Sequence, residues 1–91
     1  MDVMTADAAE ARPALASLER APLVTAVGLV EGDVLDYLES HGSSALRSVV
    51  RALSWPVTLI MMAIGSLVRQ GMVRGTRRDL EVILELTGTG A

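Results

Sequence analysis

The sequence predicts a mainly α-helical domain closed by a C-terminal β-hairpin. Three observations carry that expectation. Apolar residues recur at helical spacing in three successive stretches of the chain. Gly42 and Gly71 follow the first and third of these stretches, where a helix needs a left-handed stop. Beyond Gly71 the apolar period shortens from about 3.6 residues to 2, the spacing of a half-buried strand.

Taken in order, residues 1–22 are alanine-rich and carry Pro13 and Pro22. Pro13 suits the start of a short helix through Arg20, or the segment is a loose tail. The expectation is an N-terminal arm, partly ordered or flexible. Leu23 to Val30 is apolar and β-branched, interrupted by Gly28, and reads as an extended strand or a lead-in. The first helix is expected over 31–41. Val30, Val34, Tyr37, Leu38 and His41 share one face, with Asp36 and Glu39 opposite. Glu31, Asp33 and Asp36 do not share a face and read as a solvated helix start.

Ser43 and Ser44 offer an N-cap for a second helix over about 45–53. Leu46, Val49, Val50 and Leu53 form its inner stripe, and Arg47 and Arg51 lie a turn apart outside. Ser54, Trp55 and Pro56 make the turn that follows. Trp55 reads as a packing residue whose indole N–H reaches a carbonyl or water.

The third helix, between Pro56 and Gly71, organises the chain. Ile60, Ala63, Ile64, Leu67 and Gly71 fall on one stripe. Thr58, Met62, Gly65, Ser66 and Arg69 point the other way, flanked by Leu59 and Met61. That outward side offers mostly methyls, thioethers and backbone rather than donors and acceptors. It is a poor reader of base edges and a good adhesive surface. A partner, a second copy, or the N-terminal arm folded back are its three possible covers.

Met72 and Val73 begin a strand, and Arg74 to Asp79 carries turn chemistry. Leu80, Val82, Leu84 and Leu86 then alternate with Glu81, Ile83 and Glu85 as the second strand. The expected divisions are an arm over 1–22, one domain over 23–87 and a frayed end over 88–91.

Totals exclude several classes of function. The 91 residues contain no Cys, no Phe and one His, and Trp55 and Tyr37 are the only aromatics. Disulfides, thiolate metal sites and stacking platforms for single strands are therefore ruled out. No phosphate loop, nucleophile–base pair or metal-ligand spacing occurs, so neither enzyme activity nor a cofactor is expected. From Ala52 to Val68 there is no charge, but Pro56 and the surrounding amphipathic pattern argue against a membrane span. The acidic N-terminus differs from a secretory signal, and a cytoplasmic protein is expected. A domain this small gains from dimerisation or docking.

The net charge of −3 hides a division. Residues 1–39 sum to −6, residues 40–78 to +6 and residues 79–91 to −3. Such segregation speaks to partners.

Helix, helix-turn-helix and a hairpin with basic residues at its end is the order of a winged helix. The run Val27-Gly-Leu-Val-Glu-Gly-Asp-Val-Leu-Asp-Tyr-Leu resembles the opening of a small bacterial and archaeal winged-helix family, catalogued as a domain of unknown function. The run Met62-Ala-Ile-Gly-Ser-Leu-Val-Arg-Gln-Gly-Met-Val resembles that family's passage from third helix to wing. The likeness covers about residues 26–86. It implies a winged helix-turn-helix, with three helices and a two- or three-stranded sheet.

The leading expectation is a homodimeric DNA-binding regulator of transcription. Arg47, Arg51, Arg69, Arg74, Arg77 and Arg78 would hold phosphates of double-stranded DNA, and Thr58 and Ser66 would make the few groove contacts. The alternative is a winged helix used for protein interaction or dimerisation, centred on Leu59, Met61 and Met62.

Overall fold

An apolar residue at every fourth position, Ala26, Val30, Val34 and Leu38, winds the first helix around one buried line. In the computed structural model, which describes residues 22–88, this helix (α1) spans Leu23–His41. It begins a full two turns earlier than the expected residue 31. The β-branched residues and Gly28 lower helix propensity by a few tenths to about 1 kcal/mol each. Burial of Ala26 and Val30 on the shared line outweighs that. Pro22 caps the helix, and its carbonyl accepts from the N–H groups of Thr25 and Ala26. Glu31, Asp33 and Asp36 therefore lie mid-helix, and no acid occupies the first turn.

Gly42, at φ 75°, ends α1, and its N–H donates to the Leu38 carbonyl at 2.8 Å. His41 is exposed rather than inward, stacked on Tyr37 with ring centres 4.0 Å apart. Its Nδ1 lies 3.0 Å from the Tyr37 carbonyl oxygen.

A two-residue strand, β1 (Ser44–Ala45), follows. The serines do not cap the second helix as their position suggests. Instead Ala45 is the N-cap of α2 (Leu46–Ala52) without a side-chain bond, and Ser44 Oγ donates to the Gly42 carbonyl. Val49 is the fully buried residue of α2.

The third helix, α3 (Val57–Arg69), buries Ile60, Ala63, Ile64 and Leu67, four of the residues its spacing had picked out. Gly71 takes φ 79°. Its N–H donates to the Val68 carbonyl, and that of Met72 to the Leu67 carbonyl, each at 3.0 Å. These paired bonds form the Schellman arrangement that satisfies the last carbonyls of a helix.

The hairpin departs from expectation in its turn. β2 (Val73–Arg78) runs through residues assigned to a turn, and β3 (Glu81–Leu86) returns. The loop is only Asp79 and Leu80. Arg74, Thr76, Arg77 and Arg78 extend because their backbones pair in register with Glu85, Ile83, Val82 and Glu81. Tertiary pairing overrides a turn-rich composition. Leu80, expected within the strand, is instead fully exposed at 100%.

The sheet is antiparallel in the order β1-β3-β2, with β3 in the middle. Ser44 and Ala45 pair with Leu84 and Ile83. Val73 and Leu84 face the helices and complete a core with Val30, Val34, Leu38, Val49, Ile60 and Leu67. Each large side chain buried this way contributes roughly 1.5–3 kcal/mol. Past Val73 every residue of β2 is exposed, so the end of the hairpin stands away from the core.

The expected arm and frayed end fall outside the described residues, apart from Pro22 and Gly88. Among the described residues no helix is long and apolar enough to cross a membrane.

Candidate interaction surface

The inward packing of Leu46, Val49 and Val50 turns Arg47 and Arg51 outward on α2. Between that helix, α3 and the hairpin end lies an open groove of about 570 Å³. Leu46, Val50, Met61 and Val82 supply its apolar walls, and Leu80 stands at its lip. Arg47, Arg51 and Glu81 supply its charged edge. Arg47 forms an ion pair with Glu81 across it. Both side chains are well exposed, so this pair contributes at most about 1 kcal/mol and opens readily.

The strand register brings one more arginine to the same side. Arg77 is the partner of Val82, and Arg78 the partner of Glu81, both residues of the groove wall. Directly paired residues point to the same face and consecutive ones to opposite faces, so Arg77 shares the face of Val82 and Arg78 lies on the other.

The remaining two candidate arginines lie elsewhere. Arg74 Nε sits 3.2 Å from Glu85 Oε2, and Ser43 donates to the other oxygen of that carboxylate at 3.1 Å. Arg69 ends α3, at the opposite end of β2 from the hairpin loop. The six arginines thus divide into three at the groove (Arg47, Arg51 and Arg77), Arg78 on the other face of the hairpin end, one tied to the sheet and one apart. Arg51, Arg69, Arg77 and Arg78 have no carboxylate partner among the described residues.

The outward side of α3 is open to solvent. Val57, Met61, Met62 and Val68 are exposed, with Met61 at 46% and Met62 at 41%. Thr58, Gly65 and Arg69 are exposed on the same side. Two candidates differ from their expected placing. Leu59 is half-buried against the core, because its position on α3 borders the inner stripe. Ser66 is half-buried, and its Oγ accepts from Gln70 Nε2 at 2.9 Å. Neither is a free surface group.

Met61 belongs both to the exposed flank of α3 and to the groove, which makes them one apolar surface. Leu46, Val50, Leu80 and Val82 were read from sequence as stripe and strand residues, not as site residues. No local signal in the sequence marks them, because the groove exists only where α2, α3 and the hairpin end come together.

Comparison with family models, with curated proteins and with solved structures found no match.

Proposed function

We propose that the chain is a winged-helix module that binds another protein through the groove and the adjoining flank of α3. The order α1-β1-α2-α3-β2-β3, with β1 on the far side of β3 from β2, supports the winged-helix reading. One observation carries the function. The side of α3 that a DNA-reading winged helix presents to base edges is here solvent-open and lined by Val57, Met61, Met62 and Val68. Contiguous exposed apolar surface marks an interaction site, and methionine adapts to partners.

The test is a photo-crosslinking residue placed at Met62 or Leu80 in the full chain, expressed in cells. Adducts from both positions, and none from Thr76 on the opposite face of the hairpin, are expected. Equal yield from all positions, or none from any, overturns the reading.

A second reading is favoured by the four arginines without carboxylate partners. In it the chain is a cytoplasmic DNA-binding regulator, with Arg51, Arg69, Arg77 and Arg78 on phosphates and Thr58 at the groove. Affinity would come from the backbone, with base readout weak.

A further inference from the structure

We infer that the groove between α2 and the hairpin end receives the outward face of α1 from a second copy of this chain. The inference rests on the interaction-module reading and names its partner.

The groove restricts its own occupant. Arg47 and Arg51 line it, with Glu81 paired to Arg47, and Arg77 lies beside Val82 on the same face of the hairpin. Two grooves set face to face would bring six guanidinium groups against two Glu81 carboxylates, and like charges at a contact cost several kcal/mol. The occupant must bring an apolar residue for the walls and carboxylates for the rim.

The outward face of α1 has that composition. Thr25, Gly28, Leu29, Gly32, Asp36 and Glu39 lie on one side of the helix, and all are exposed. Leu29 is a large apolar residue left 49% exposed. Asp36 and Glu39 have no ion pair or hydrogen bond among the described residues. Asp33, by contrast, is engaged with Trp55.

Gly28 and Gly32 add an independent observation. Each sits in a helix interior, where Gly is less favourable than Ala by about 1 kcal/mol. A Cβ at either position would meet nothing within 4 Å, so no internal packing requires a glycine. Bare backbone on an exposed helix face permits a neighbour to approach closely. Leu29 enters between Leu46, Val50, Met61 and Val82. The two glycines lie under Leu80, and Asp36 and Glu39 reach Arg51 and Arg77. This is helix-in-groove recognition, with each copy carrying both halves of the contact.

Sedimentation velocity of the purified full chain, across concentration and salt, tests it. Mass above that of one chain is expected, falling as salt rises. Arg51→Glu and Asp36→Arg, both at exposed unpaired positions, should each weaken association about tenfold or more. Mixing the two variants should restore it, because each then meets the opposite charge. Circular dichroism of each variant checks that the fold persists. A monomer at every concentration overturns the inference. So does association indifferent to both reversals, or unrestored by mixing. A monomeric chain that still crosslinks to a different protein from Met62 and Leu80 overturns only the self-docking. A monomeric chain without crosslinks overturns the module reading as well.

Discussion

The indole Nε1–H of Trp55 donates to Oδ2 of Asp33 at 2.7 Å, joining residues 22 positions apart in the chain. The bond ties the turn before α3 to the middle of α1. A hydrogen bond to a charged acceptor contributes about 1.5–3 kcal/mol when sheltered, and less at this exposed carboxylate. Trp55→Phe and Asp33→Ala should each lower unfolding free energy by about 1 kcal/mol. Urea denaturation of both variants and the double variant should show a coupling of about 0.5 kcal/mol or more. Strictly additive losses would mean the bond adds nothing.

Gly65 lies on the exposed side of α3, and a Cβ there would meet no atom within 4 Å. Helix propensity alone then decides the effect of Gly65→Ala. Stability should rise by about 0.5–1 kcal/mol. A higher urea midpoint at unchanged slope is the expected result. A lower midpoint would show that this backbone is packed against something in the native protein.

What was legible in the sequence was whatever a single buried line could specify. Ile60, Ala63, Ile64 and Leu67 declared the inner side of α3, and Gly71 its end, because both are local requirements of one helix. Val30, Val34 and Leu38 did the same for α1. The start of α1 was not legible. Val24, Thr25, Val27 and Gly28 favour extended backbone, and only the burial of Ala26 beside Val30 makes them helical. β1 was invisible for a different reason. Two residues cannot show a period, and Ser44 and Ala45 are a strand only because Leu84 and Ile83 lie opposite. The candidate site suffered most. Its arginines were visible as a charge block, but their division among groove, sheet and α3 end depends on strand register. Glu81 and Glu85, remote in sequence from Arg47 and adjacent only through pairing to Arg74, decide which guanidinium groups stay free.

Backbone conformation at the two chain reversals makes opposite predictions. Gly71 holds φ 79°, and a side chain in this region costs roughly 1–2 kcal/mol. Gly71→Ala should therefore destabilise by about that amount, although the added atom has open space. Asp79 already stands at φ 59° in the two-residue loop, the region that glycine adopts without steric cost. Asp79→Gly should leave stability unchanged or raise it by a few tenths of a kcal/mol. Thermal melts of the two variants should move apart, with Gly71→Ala the lower. Equal shifts would show that neither position is held in its left-handed well.

Arg77 and Arg78 provide the discriminating test for nucleic acid. As consecutive residues of β2 they leave the strand on opposite faces, beside Val82 and Glu81, and neither has a carboxylate partner among the described residues. In the DNA reading both guanidinium groups contact phosphates, one from each side of the hairpin end. Each such contact releases about 0.9 counterion, so replacing both with alanine should reduce the log–log salt slope of duplex binding by about two. Affinity should fall equally on unrelated sequences, because phosphates carry no sequence information. Arg74→Ala is the internal contrast. Its guanidinium is held by Glu85 at 3.2 Å on the sheet, so its removal should change the slope much less. Fluorescence anisotropy with labelled random duplexes, titrated from low salt upward, measures all three. Absence of duplex binding at low salt removes the DNA reading. The four free guanidinium groups would then be available to an acidic protein surface instead.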